Sequence, residues 1–430
     1  MPSRSTIFMG PVALSLHQVI SAKAKYDTYM TYEAVKPVRW AKFCGALLSE
    51  GLVKFIDIAR LKDTLGDGPP LSILEIRLYL TRRFATEDLD QIYSLIGLFR
   101  SFSISRTVTA ANSIEANYDA HPSEVYTEVS RQHILSTRSL LPLSLSSAKG
   151  RYQAMPTWAI DWTWLQLDSV DINVRIWAEM HELFDASAGL NGHAPYFDDN
   201  VLQIKGLYID EIVAIRKLGP RMREYGDFLQ FLKGRDLFER YPGAIQSTWG
   251  DAWLRTLRCD CLEDRSPASP TWKLRRLADN ESRLIAALQN AGLLQYAPYA
   301  GREVHFVGAF PIEYHPTWHR DPARKGRKDF EPGALTWNLE KSVQEQRRKV
   351  ATNRVVFVTK QNYLGITNGC KIGDQIYILA DGNLPIILRQ VNGIDEYENV
   401  ADCYLHGFMG GDHNKTLLEK QGGLRRLRVI

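Results

Sequence analysis

The chain has 430 residues, 45% of them hydrophobic and 24% charged, and its 53 basic and 49 acidic side chains leave a net charge of +4. That length is enough for two or three domains with buried cores, and a charge so evenly balanced does not imply a nucleic-acid partner, which usually needs a concentrated basic face. Cys44, Cys259, Cys261, Cys370 and Cys403 fit neither a disulfide framework nor a zinc spacing, which favours a reducing compartment, and no stretch nears the ~18 apolar residues of a membrane span.

Arg4 precedes an apolar run, residues 6–16, and Ala22-Lys23-Ala24 imitates a cleavage site. Gly10-Pro11 breaks that run, so the segment is not read as a signal peptide and the expected location is the cytoplasm. Residues 14–29 and 41–61 carry mixed apolar periodicity and are predicted to be helical. Residues 63–70 (DTLGDGPP) form a loop by composition. Ser72 with Glu75 three residues on is a capping box that opens a helix to about Arg83.

The sharpest local signal follows. Asp88 is placed to cap a second helix, with Gln91 to return the bond. Leu89, Ile92, Tyr93 and Ile96 fall on one stripe. Gly97 is the predicted helix end, and Asp90 reads as a first-turn carboxylate that favours the helix dipole. After a polar connection over 99–120, His121-Pro122-Ser123 opens a helix with Val125, Tyr126, Val129 and Ile134 inside. In MPTWAIDWTW, residues 155–164, Pro156 and the tryptophans Trp158 and Trp162 suit a turn that pins a loop onto a core. Asp161 between them is either a buried carboxylate holding backbone N–H groups or a catalytic acid.

Residues 201–215 alternate apolar and polar with β-branched residues and read as strand. Residues 225–238, 250–257 and 281–294 read as helices, and 311–332 as a proline-containing loop. Strands resume at 354–359, 364–366, 375–380, 385–388 and 400–408, with Asp381-Gly382 at a tight hairpin. The expected fold class is α+β. A helical bundle over 1–165 precedes a small antiparallel sheet or barrel over 166–430, its strands at 201–215 and 354–408 and a helical insertion at 221–300 between them.

Four stretches resemble, in order, segments of the fungal heterokaryon-incompatibility family. ATEDLDQIYSLIGL is similar to that family's A-T-D-P-R-D-K-I-Y-A-L-L-G-L, with Asp90, Ile92, Tyr93, Leu95, Gly97 and Leu98 matching. Pro156, Trp158, Asp161 and Trp162 match its L-P-S-W-V-P-D-W. Leu202, Ile204, Gly206, Asp210 and Ile212 match L-x-V-x-G-x-x-x-D-x-I. The longest stretch contributes Gly373, Asp374, Pro385, Arg389, Tyr404, His406, Gly407 and Met409, with Asp412 where the family usually has Glu. The family's defining effector module, with motifs such as Y-x-A-L-S-Y-x-W-G, has no counterpart in these residues. The resemblance therefore implies a regulatory or recognition protein without its own catalytic module, acting through an unknown protein partner.

Motifs of known chemistry are missing: there is no G-x-G-x-x-G, P-loop, G-x-S-x-G or H-E-x-x-H. Cys259-x-Cys261 lacks a second ligand pair, and Pro316 between His315 and His319 argues against a helix presenting both. No cofactor, metal, membrane or nucleic-acid partner is expected, and no residue is assigned as catalytic. Two alternatives stay open. One is an enzyme built from scattered residues, for which Asp90, Asp161 and His406 are the candidates; the other is an inactive truncated product.

Overall fold

Strand-forming alternation dominates the described residues. The computed structural model describes residues 6–9, 12–15, 73, 74, 77, 85–101, 114–146, 152, 154–163, 179–192, 194–218, 239–244, 247–264, 273–279, 354–391 and 395–430. They belong to two units, one of residues 1–136, 162–171 and 264–272, the other of residues 137–161, 172–263 and 273–430.

The first unit corrects the expected N-terminal helical bundle. Its first described elements are strands, β1 (Thr6–Met9) and β2 (Val12–Ser15), paired antiparallel with Met9 opposite Val12. Ile7, Phe8 and Val12 are residue types that favour extended backbone, and the Gly10-Pro11 break lies between the strands in the chain. The predicted helix over 14–29 thus starts inside β2; its remainder and the helix over 41–61 lie outside the described residues. Ile73, Leu74 and Arg77 are helical, within the stretch opened by Ser72.

Helix α1 (Asp90–Ser101) buries Ile92, Tyr93, Leu95 and Ile96, and α2 (Pro122–Thr137) buries Val125, Tyr126, Val129 and Ile134. The Tyr126 hydroxyl donates to the Asp88 carbonyl at 2.5 Å. Gln91, expected to return the capping bond, accepts at its Oε1 from Arg77 Nη2 at 2.6 Å. Nor does α1 stop at Gly97; it runs four residues further. One glycine costs a helix about 1 kcal/mol, which a buried apolar stripe outweighs.

In the second unit a ring of six antiparallel strands closes on itself. β4 (Val201–Lys217) pairs with β9 (Gln375–Leu379), β9 with β10 (Ile386–Val391), and β10 with β11 (Glu396–Leu405). β11 then pairs with β8 (Leu364–Thr367), β8 with β7 (Val355–Thr359), and β7 returns to β4. β12 (Arg425–Val429) fills in between β4 and β11, and the short β3 (Tyr196–Asp198) lies against the start of β4. β4 serves this many neighbours because its register shifts between Tyr208 and Asp210 and between Ile212 and Ala214, and such bulges turn a strand. Leu207, Ile209, Ile212, Phe357, Ile376, Ile378, Ile387, Cys403 and Leu405 fill the interior with apolar side chains.

Helix α3 (Leu141–Leu145) packs on β11, α4 (Trp249–Thr256) on β8, and α5 (Asn414–Gln421) precedes β12. Of the helices expected in the insertion over 221–300, the one over 250–257 is α4, those over 225–238 and 281–294 lie outside the described residues, and the described part also holds a strand pair, β5 (Cys261–Asp264) with β6 (Lys273–Arg276). The pair is anchored by buried apolar side chains, Cys261 and Leu262 in β5 and Leu274 in β6.

Candidate functional site

The end of β11 and the residue after it read A-D-C-Y-L-H, and this alternation separates two chemistries. Cys403 and Leu405 enter the apolar interior, so Asp402, Tyr404 and His406 line up on the opposite side. That side is not left to water: Asp402 is 0% exposed, Tyr404 2% and His406 6%.

At one end, Ser144 of α3 shares a 2.6 Å hydrogen bond with His181 Nε2, and Asp402 Oδ2 lies 4.0 Å from the same nitrogen. Burial pushes the Asp402 carboxyl up to about 7, against the opposing pull of the Ser144 hydroxyl and the Arg354 charge. Burial also lowers Arg354 to about 10 and pushes the neighbouring Cys259 thiol up to about 12.

At the other end, Ser247 stands just before α4, whose Thr248 cap accepts from Asp251 N–H. The Ser247 hydroxyl donates to Asp251 Oδ2 at 2.9 Å, so its free lone pair accepts from His406 Nε2–H at 3.0 Å. His406 Nδ1 is then the acceptor for the Tyr404 hydroxyl at 3.0 Å. Burial holds His406 down at about 4, opposed by the Asp251 charge. Arg255 extends the chain of contacts from Asp251 to Asp260 at 2.5 Å, and Arg276 reaches the same Asp260 carboxylate at 3.1 Å. Burial still raises Asp260 against both guanidinium groups. The Tyr241 ring lies 5.0 Å from the His406 ring, and its hydroxyl donates to the His406 carbonyl while accepting from Leu364 N–H.

Two serine–histidine pairs invite comparison with nucleophilic catalysis, and geometry answers it. An activated serine gives its proton to a histidine whose other nitrogen a carboxylate holds. Ser247 gives its proton to Asp251 and takes one from His406, the reverse polarity. Ser144 and Asp402 sit at the same nitrogen of His181 rather than at opposite ones. A histidine held near 4 is also a poor base at neutral pH. Both arrangements link elements.

The residues singled out in the sequence divide into local groups. Tyr404, His406 and Gly407 share this cluster; Gly407 has φ +89°, and a Cβ there would meet Gly243 O at 1.8 Å, so no larger residue fits. Asp374, 2% exposed, takes both Arg389 Nε at 2.8 Å and Nη2 at 2.9 Å and accepts from Lys371 N–H, with Gly373 at φ +93° making the turn. Asp161 accepts from Tyr152 N–H at 2.8 Å, Pro156 O accepts from Ala159 N–H, and Trp158 donates to Asn200 O while its ring packs on Phe197. Trp162 is buried. In the first unit, Asp90 accepts from the Tyr118 hydroxyl at 2.7 Å, and Tyr93 donates to Asn117 O and packs edge-on against Tyr118. Gly97 lies within α1.

Sequence reasoning missed Ser144, His181, Ser247, Asp251, Arg255, Asp260, Arg354 and Asp402. Only Asp402 carried a signal, as an acid inside an apolar strand pattern. The family models, the curated proteins and the solved structures contain no match to this chain. Among the described residues no helix is long and apolar enough to cross a membrane, and no group of three or more His, Cys, Asp or Glu is arranged to hold a metal ion.

Proposed function

We propose that this chain is a regulatory or recognition protein of the heterokaryon-incompatibility type, working in the cytosol through contacts with another protein and not through chemistry of its own. The observation that supports this reading is how the motif residues of the resemblance are employed. Asp161, Asp210, Asp374 and His406 each hold a backbone N–H group, a guanidinium group or a hydroxyl in place. Residues spent on holding shape leave the function to another part of the molecule, since function lives in sites grafted on a fold. The rival, an enzyme built from Asp90, Asp161 and His406, draws no support from this arrangement, because each is engaged by different partners and His406 is a neutral donor to a serine.

The test pairs a cellular and a chemical measurement. The chain is expressed in one of two otherwise compatible fungal strains, and viability of the fused cells is scored; altered viability is expected. Purified protein is also incubated with NAD and with a mixed metabolite extract, and no turnover is expected. Unaltered viability across a panel of strains, or measurable hydrolysis of NAD, overturns the reading.

A further inference from the structure

The solvent side of β3, β4 and β12 carries a charge arrangement that the fold does not use. In antiparallel pairs, residues directly opposite share a face, and so do residues two apart on one strand. Gln203 lies opposite both Tyr196 and Arg428, and Lys205 lies opposite Arg426. These five therefore lie on one surface, which exposed Asp198, two residues from Tyr196, and Glu396, opposite Arg428, also share, while Leu202, Ile204, Leu427 and Val429 are buried on the other side. Tyr196 is 58% exposed at one edge.

The cations on this surface are treated unequally. Arg428 is paired with Glu396 at 3.2 Å. Elsewhere on the barrel Arg389 is paired with Asp374, and Lys360 with Glu211. Lys205 and Arg426 face each other across the strands and make no ion pair among the described residues. Like charges directly opposite one another weaken a sheet. An anion placed between them removes that repulsion and gains two charge-assisted hydrogen bonds, with the planar guanidinium suited to a carboxylate.

We propose that this face docks an acidic segment of a protein partner, Lys205 and Arg426 taking its carboxylates while Tyr196 and Gln203 border the site. The proposal rests on the recognition role argued above and names the chemistry of the partner. Two isolated cations with a single exposed ring suit a short run of Asp or Glu better than a nucleic-acid strand, which needs a longer basic track and several stacking rings.

The probe is a fluorescein-labelled oligoglutamate peptide, followed by anisotropy with the full chain at low ionic strength. Binding is expected, with a loss of about tenfold or more in Arg426→Glu and in Lys205→Glu, and disappearance in about 1 M salt, where charges are screened beyond roughly 3 Å. Arg426 is exposed and Lys205 half-buried on the same face, and each variant removes a like-charge contact, so both are expected to melt at or above the wild-type temperature, which separates lost binding from lost folding. A wild-type protein that ignores the peptide, a variant that binds it equally well, or tighter binding of an oligothymidylate of the same charge each overturns the proposal. Arg426→Glu is also carried through the cell-fusion assay. If wild type and variant alter viability equally, this docking face is wrong and the recognition role stands; if wild type has no effect, the recognition role fails while the peptide result stands by itself.

Discussion

The covered face of β11 and the open face of β4 and β12 are built by the same rule with opposite outcomes. Each strand sends every second side chain away from the apolar interior, and in each case those side chains are polar. Over β11 a layer of chain excludes water, so Asp402, Tyr404 and His406 must find partners among Ser144, His181, Ser247 and the α4 region. Over β4 and β12 Arg426 stays exposed opposite half-buried Lys205, and the two make no ion pair among the described residues. Burial makes a polar residue a linker, because leaving it unpaired costs so much. Exposure leaves it free to meet something outside the chain.

The largest expected effect tests how firmly covering segments are anchored. Trp158 is fully buried, its ring on Phe197 and its N–H on Asn200 O. Beside it Thr157 bonds to Ile430 O and to Asn399 N–H, and Asn399 in turn donates to Leu143 O. Trp158→Ala should cost roughly 3–5 kcal/mol, the range for large aromatic truncations in a core. Urea denaturation measures it. A variant within a degree or two of the wild-type melting temperature would show that Trp158 is not the anchor.

Next in size is the pH dependence of the covered face, where two groups pull in opposite directions. His406 is held at about 4 when folded, against about 6.5 when unfolded. Its contribution to stability is complete above about 6.5 and is lost as pH falls through 4, a loss of roughly 3 kcal/mol. Asp402 is raised to about 7 when folded, against about 3.9 unfolded. Its contribution is therefore greatest below about 4 and is lost as pH rises towards 7. Denaturation midpoints at several pH values should show that His406→Asn flattens the acid limb, and that Asp402→Asn gains stability relative to wild type between pH 4 and 7. Parallel pH profiles for wild type and His406→Asn would place His406 outside the acid response.

The difference between the two faces also marks what the sequence could disclose. Alternation in V-L-Q-I-K-G-L-Y-I-D-E-I makes the first part of β4 readable, and the strand over 400–408 places Asp402, Tyr404 and His406 on one side. Which side is roofed is a tertiary fact. Ser247 and His406 are 159 residues apart, and nothing local ties a serine before a helix cap to a distant strand end. Register shifts within β4 are likewise invisible, since a bulge adds no distinctive residue. At the N-terminus the Gly10-Pro11 break was legible, but its consequence was read as an interrupted apolar run when it separates two paired strands. The α1 stripe at Leu89, Ile92, Tyr93 and Ile96 was readable because 3.6-residue periodicity is local. Its end was not, because burial outweighed the cost of Gly97.

The smallest effect concerns the open face and is the most direct measure of it. If Lys205 and Arg426 repel across β4 and β12, neutralising either one should stabilise the protein, and neutralising both should add little more. A double-mutant cycle of Lys205→Gln and Arg426→Gln isolates that pair term. The expected coupling is repulsive by about 0.2–1 kcal/mol, as for like charges directly opposed in a sheet. Because both groups face water, it should shrink as salt rises towards about 1 M, whereas the buried Arg255–Asp260 contact should respond little to the same salt. A coupling of zero at low ionic strength would mean that the two side chains turn away from each other in solution. The open face would then hold two ordinary surface cations, and the contrast with the covered face would reduce to burial alone.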